Sequence, residues 1–267
     1  MNSFLRGQWV VITGASSGFG AAAARAFGRE GCRLLLGARR LPRLEEVAAS
    51  ARQAGAIEAY AHGLDVTRTS SVEEFAAWVR SHTGELYTLI NNAGGAHGLD
   101  PVATGKDEDW EAMLQTNVLG LLRVTRALLP LLVARPGSMI LNVGSTAGHT
   151  AYEGGAAYCA AKAGERQITR ALRLELCGTG VRVGSLDPGM AETEFSLVRF
   201  KGDIERARKV YEGTQPLTAE DVAEAMVWMA GRPPHVCVDE MVLKCTDQAE
   251  LYKIHRRTTS DGSRQRS

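Results

Sequence analysis

A doubly wound α/β fold, built as one domain on a parallel sheet, is the class this sequence predicts. Three observations predict it. Strand-like and helix-like segments alternate along most of the chain. The first apolar run, Trp9–Thr13, leads into a glycine-rich turn, Gly14-Ala15-Ser16-Ser17-Gly18-Phe19-Gly20, and then into an alanine-rich helix. Short polar motifs follow several later strands, where ligands bind in open parallel sheets.

Taken in order, the β-branched run Trp9–Thr13 reads as a buried strand and residues 21–30 as the helix after the turn. Glycines let the backbone turn tightly and approach a pyrophosphate, while the helix N-terminus offers unpaired N–H groups to the anion. The spacing is Gly-x-x-x-Gly-x-Gly, so the generic Gly-x-Gly-x-x-Gly fingerprint is not met, and strand–turn–helix context carries the reading. Arg33–Ala38 is the second strand. An acidic residue about 20 positions beyond the glycine loop would hold a ribose 2′-hydroxyl. Arg39 and Arg40 stand there instead, and a guanidinium pair suits a 2′-phosphate, which favours NADP over NAD.

Residues 42–54 form an amphipathic helix, and residues 57–64 a third strand ending at Asp65-Val66. Asp65 is placed either to accept from an adenine amino group or to cap the next helix, residues 70–82. Residues 87–90 form the fourth strand, followed by Asn91-Asn92-Ala93-Gly94-Gly95. Asn side chains can lock a strand end, and small residues leave room for a ribose. Asp107, Glu108 and Asp109 offset the dipole at the start of a helix that runs to residue 132. Asn117 within it is unfavourable by propensity, and marks either a kinked, wet spot or a relay position near Lys162. Met139–Val143 delivers Ser145 at its end, residues 181–186 deliver Asp187-Pro188-Gly189, and residues 236–243 hold the last strand.

The chain has 267 residues with 45% hydrophobic content, enough for a sizeable core. Lys and Arg number 31 against 30 Asp and Glu, so nothing points to nucleic acid or an anionic membrane as partner. The five cysteines are odd in number and widely spaced. They suggest no metal site and no disulfide framework, and they read as small core residues in a reducing, cytoplasmic compartment. No signal peptide is visible, and no apolar stretch reaches the length of a membrane span; residues 119–133 read as a buried helix. One domain is expected over residues 1–252, with a loose basic tail over 253–267.

Between the strands at Met139–Val143 and residues 181–186 lies Tyr158-Cys159-Ala160-Ala161-Lys162 on a predicted helix, residues 156–176. Positions i and i+4 share a face. A free phenol is a poor acid or base near neutrality, with an ordinary pKa of about 10, and a fixed ammonium nearby favours the phenolate. Ser145 would hold a substrate oxygen. Alone, Tyr-x-x-x-Lys is a common chance pairing; together with the glycine turn it describes a site.

These motifs resemble the short-chain dehydrogenase/reductase family. Thr13-Gly14-x-x-x-Gly18-x-Gly20, Asn91-Asn92-Ala93-Gly94, Asn117, Ser145, Tyr158-x-x-x-Lys162 and Pro188-Gly189 occur in the family's order, across nearly the whole chain to Leu243. The resemblance implies a Rossmann-like domain and a catalytic tetrad of Asn117, Ser145, Tyr158 and Lys162. Tyr158 exchanges a proton with the substrate, Lys162 binds the nicotinamide ribose, Ser145 orients the substrate oxygen, and Asn117 holds a relay water. It implies cofactor contacts from Gly14, Ser16, Ser17, Gly18, Phe19, Gly20, Arg39, Arg40, Asp65, Val66, Asn92, Ala93, Gly94, Tyr158, Lys162, Pro188 and Gly189.

Gly144-Ser145-Thr146-Ala147-Gly148, Thr193-Glu194-Phe195-Ser196, Val198-Arg199-Phe200-Lys201-Gly202-Asp203 and Leu217-Thr218-x-Glu220-Asp221-Val222 are similar to the NADP-dependent 3-hydroxy acid dehydrogenases acting on serine and allo-threonine, which are homotetramers. Asp187 where that group has Glu, the sequence Gly189-Met190-Ala191-Glu192 and the longer tail depart from it, and leave the exact substrate open. A 3-hydroxy acid needs a counter-charge, offered by Arg199 or Lys201; Arg199 can equally pair with Glu194 or Asp203 on the surface. His149 lies near Ser145 in sequence, as a pocket or a solvated loop residue. Two alternatives stand beside the 3-hydroxy acid reading: a broad NADPH-dependent carbonyl reductase, and a dinucleotide-sensing protein without turnover.

Overall fold

In the computed structural model of the chain, residues 4–257 are described. Seven parallel strands form one sheet in the order β3-β2-β1-β4-β5-β6-β7. They are β1 (Trp9–Thr13), β2 (Arg33–Ala38), β3 (Glu58–Gly63), β4 (Thr88–Asn91), β5 (Met139–Val143), β6 (Arg182–Pro188) and β7 (Glu240–Leu243). The central strands are buried from end to end because helices cover both faces. One face packs α1 (Gly18–Arg29), α2 (Leu41–Ala54) and α9 (Ala219–Ala230). The other packs α3 (Thr69–His82), α5 (Gly120–Val133) and α6 (Ala156–Glu175), with α4 (Asp107–Leu114) set against α6. Strand order reverses between β1 and β4, and the crevice above that switch point is where ligands bind in such sheets.

Two helices depart from the sequence-based expectation in ways that shape this crevice. The first begins at Gly18, three residues earlier than expected, with Gly18 itself at φ +52°. The glycine turn therefore runs directly into the helix N-terminus. Ser17, its N-cap, makes no side-chain cap bond, so the first-turn N–H groups stay available to an anion.

The second is the long helix from Asp107. It is continuous to Val133, but residues Gln115–Leu119 form a π turn, in which Gly120 N–H reaches back five residues to Gln115 O. The run has the length and apolar content to cross a bilayer, contrary to the expectation that no stretch would. Here its buried residues Val124, Leu128, Leu131 and Leu132 pack on the sheet with α3. Gly120 is required at the π turn, since a Cβ there would lie 2.7 Å from Val66.

Between β6 and α9 the chain forms two short helices, α7 (Glu194–Arg199), which lines the crevice, and α8 (Ile204–Lys209) after it. The last strand starts at Glu240 rather than near residue 236. The expected boundary after residue 252 falls within a bonded segment. His255 N–H donates to Asp247 O at 2.8 Å, Arg257 N–H to Gly213 O at 2.7 Å, and Arg256 to the carbonyls of Val210 and Glu212. The rest of the expected tail, residues 258–267, lies outside the described residues. All five cysteines are free thiols, but Cys177 and Cys237 are exposed rather than core residues.

Candidate active site

One cavity of about 850 Å³ opens at the carboxyl ends of the strands. Its walls bring together Gly14, Ser16, Ser17, Gly18 and Phe19 with Arg39, Arg40, Asp65, Val66, Asn92, Ala93, Gly94, Ser145, Tyr158, Lys162, Pro188, Gly189 and Arg199. Local chemistry explains why they converge. Asn92 donates its side-chain amide to Thr13 O and Gly14 O, and Thr13 Oγ1 accepts from the N–H groups of Asn92 and Ala93. The end of β4 is thereby locked to the glycine turn.

Two expected site residues have a different part. Gly20 does not line the cavity; a Cβ there would sit 2.6 Å from both Asn92 Nδ2 and Gly14 O, so it lets α1 pack on the loop. Asn117, inside the π turn, also lies behind the wall. Its amide donates to Gly95 O at 2.9 Å and Met113 O at 2.8 Å, and its Oδ1 accepts from Gly95 N–H at 3.1 Å. Both amide hydrogens are committed to backbone, so the side chain braces the Gly94-Gly95 loop.

At the chemical end, Tyr158 and Lys162 lie one turn apart on α6, 7% exposed each. Lys162 Nζ donates to Val143 O at 2.8 Å, which ties α6 to the end of β5 just ahead of Ser145. Ser145 Oγ accepts from Ala147 N–H at 3.1 Å, which leaves its hydroxyl hydrogen free to donate into the cavity. The Tyr158 ring is flanked by Phe195 at 5.6 Å between centroids, so α7 walls the site from above. Cys159 packs in the same small apolar cluster and has no place in the cavity.

The two cationic candidates separate clearly. Lys201 is exposed and paired with Asp109 at 2.8 Å, outside the cavity. Arg199 lines it. Its guanidinium carbon lies 5.2 Å from the Tyr152 ring centre and 5.6 Å from that of Tyr158. Nε donates to Gly98 O at 3.1 Å and Nη2 to Tyr152 Oη at 2.5 Å. Among the described residues no carboxylate lies within ion-pair distance of Arg199; the expected surface partners, Glu194 and Asp203, are engaged elsewhere. Burial pushes the Tyr152 phenol up to about 12 against the pull of Arg199. Tyr152 therefore stays protonated near neutrality, as a neutral acceptor that leaves the guanidinium charge uncancelled. Nothing in the sequence marks Tyr152 or Phe195 as a wall of the site, since aromatics next to a loop carry no periodic signal.

At the far end, Arg40 donates to Ser16 Oγ at 3.2 Å and Ser17 Oγ at 2.6 Å, and pairs with Glu194 at 2.9 Å. Arg43 pairs with the same carboxylate at 2.8 Å. Asp65 Oδ1 accepts from Thr67 N–H and Oγ1 in a turn ahead of α3, whose N-cap is Arg68 without a side-chain cap bond, so Asp65 does not cap that helix, and it borders the cavity. His149 lies outside the cavity, with Nε2 2.5 Å from Asp187 Oδ2 and 3.6 Å from Glu240.

Glycine turn, helix N-terminus and guanidinium cluster fit a dinucleotide carrying an extra phosphate, on the donor chemistry of these residues alone. The fold and this constellation define a dinucleotide-dependent oxidoreductase, and the short chain dehydrogenase family model matches residues 8–202. The chain belongs to the short chain dehydrogenase family. It is 40% identical over 249 residues to the NADP-dependent 3-hydroxy acid dehydrogenase YdfG of Escherichia coli (strain K12), covering 92% of this chain and 99% of that protein. The serine 3-dehydrogenase of Agrobacterium fabrum is 40% identical over 250 residues, 92% of this chain and 98% of that one. The sulfoacetaldehyde reductase of Chromohalobacter salexigens is 44% identical over 241 residues, 90% and 94% of the two chains. Among solved structures, the closed form of a serine dehydrogenase complexed with NADP+ superimposes with a TM-score of 0.86 at 40% identity, over 93% of this chain and 100% of that one.

Proposed function

We propose that the protein moves a hydride between NADP(H) and the 3-hydroxyl or carbonyl carbon of a small anionic substrate of the 3-hydroxy acid type, such as serine, allo-threonine or 3-hydroxypropionate. Arg199 carries the reading: a guanidinium without a carboxylate partner among the described residues, stacked beside Tyr158 in the cavity that also holds Ser145 and Lys162. A carboxylate held there sits close to the phenol that must meet the hydroxyl. The NADP dependence of the relatives supports the Arg39 and Arg40 assignment.

The cofactor, when bound, supplies or accepts the hydride. Ser16, Ser17, Gly18 and the start of α1 hold its pyrophosphate, Arg39 and Arg40 its 2′-phosphate, and Lys162 its nicotinamide ribose. Ser145 donates to the substrate oxygen and orients it. Tyr158 gives that oxygen a proton in reduction and takes one in oxidation, with the Lys162 ammonium favouring the phenolate. Asn117 holds the Gly94-Gly95 loop, and the relay water of the family would sit beside it. By the same resemblance the enzyme is a homotetramer in the reducing cytoplasm, which light scattering on the purified protein and fractionation of cells would test.

A sulfonate is a second anion that Arg199 would hold, and the sulfoacetaldehyde reductase among the relatives supports that second reading. Steady-state assays decide between them. L- and D-serine, allo-threonine, 3-hydroxypropionate, sulfoacetaldehyde and a set of uncharged aldehydes and ketones are each tried with NADP(H) and NAD(H). Preference for a carboxylate or a sulfonate names the substrate class. Equal turnover of uncharged ketones makes the protein a broad carbonyl reductase, and no turnover on any of them leaves a dinucleotide sensor.

A further inference from the structure

Behind Lys162, one turn further along α6, lies a buried carboxylate. Glu165 is 2% exposed, and its Oε2 accepts from Lys162 Nζ at 2.7 Å. Lys162 lines the cavity, whereas Glu165 does not. One ammonium hydrogen goes to Glu165 and one to Val143 O, so the third is left to face the cavity. Glu165 Oε1 is buried without a hydrogen-bond partner. The carboxylate has thus been removed from water for a single partner, the ammonium, which is a costly arrangement for structure alone.

The charges around the pair single out that contact. Burial is the strongest single influence on the Lys162 ammonium and works against it, yet Glu165, with smaller help from Tyr158 and Asp187, outweighs it and the lysine is held above its ordinary value. Burial pushes the Glu165 carboxyl up to about 7, against the pull of Lys162 and with Asp187 adding to the rise. Asp187, on β6, is the other nearby carboxylate, but its oxygens are taken by His149 and Ser185. Glu240 beyond it is held by Arg166 and Arg170. Tyr158 faces Lys162 from the same helix.

We infer that Glu165 is the counter-ion that keeps Lys162 charged in its dry position, and is thereby a positioning residue for proton transfer at Tyr158. This rests on the acid/base reading of Tyr158 and Lys162 above. Without the carboxylate the largest opposition to burial is gone, the lysine loses its proton at lower pH, and Tyr158 loses its neighbouring cation.

The test measures kcat and KM for oxidation from about pH 6 to about pH 10 in the parent enzyme, Glu165→Gln, Glu165→Asp and Tyr158→Phe. The expected result is that Glu165→Gln stays within about threefold of the parent kcat near neutrality and falls at least about tenfold below it on the alkaline side, a tenfold loss corresponding to one pH unit past the lysine's new midpoint. KM for NADP+ changes less, and Glu165→Asp, which keeps the charge, retains alkaline turnover. A Gln profile that parallels the parent at every pH overturns the inference, as does an Asp variant that loses alkaline turnover like Gln. If Glu165→Gln does not fold, Glu165→Met gives the same comparison, and if neither folds the Asp profile alone decides by the same criterion. Turnover retained in Tyr158→Phe would remove the acid/base reading itself, a separate outcome.

Discussion

The Glu194 carboxylate stands 2.9 Å from the Arg40 guanidinium, joining α7 of the covering segment to the turn after β2. Arg40 and Arg43 hold Glu194 below the usual carboxylate range despite its partial burial, which acts the other way. The carboxylate thus lies on the cluster assigned to the 2′-phosphate. Two anions cannot share those guanidinium groups without repulsion. Glu194→Gln should tighten NADP+ binding by several-fold and leave NAD+ binding unchanged, read by cofactor fluorescence titration. Arg40→Ala should weaken NADPH binding by roughly tenfold or more, the loss of a charge-assisted phosphate contact, with little effect on NADH.

Loss of the phenol should be decisive for chemistry. Tyr158→Phe keeps the ring against Phe195 and removes only the proton donor. General acid–base catalysis is typically worth 10²–10⁴-fold, so kcat should fall by about that much while NADPH still binds. Single-turnover kinetics with bound NADPH would check it.

For Arg199, Arg199→Ala should raise KM for serine by about tenfold or more, as expected for loss of a charge-assisted contact, and far less for an uncharged alcohol. Equal effects on both would remove the carboxylate clamp. Tyr152→Phe, which leaves the charge in place and deletes only the hydroxyl that Arg199 meets, should have a smaller effect of the same kind.

Glu165 also gives stability a pH dependence of definite sign. Its folded carboxyl titrates at about 7 against 4.5 when unfolded. Between those values the folded state holds the extra proton, so its contribution is fully present below about pH 4.5 and is lost as pH rises towards 7. Chemical denaturation of the parent across that window should therefore show a steeper decline with pH than Glu165→Gln.

A last prediction concerns the core. Arg182 on β6 is 4% exposed and has no carboxylate partner among the described residues; it donates to the carbonyls of Gly137, Ala230, Arg232 and Val236 and to Tyr87 Oη. Arg182→Met would leave several buried acceptors unsatisfied and should cost about 3 kcal/mol in urea unfolding.

The alternation of strands and helices, the glycine turn and the pairing of Tyr158 with Lys162 are legible in the amino-acid sequence, because these depend on spacing within a few residues, on periods of two and 3.6 and on glycine's conformational freedom. So is the placing of Ser145, Arg39 and Arg40 at strand ends, where a parallel sheet delivers them to one crevice. Which cation enters the cavity, the contact of Glu194 with Arg40, the bracing role of Asn117 in a π turn and the burial of Glu165 against Lys162 emerge from the packed fold. Those outcomes depend on contacts between residues distant in sequence, or on which face of a helix meets the sheet, and local patterning leaves both undetermined.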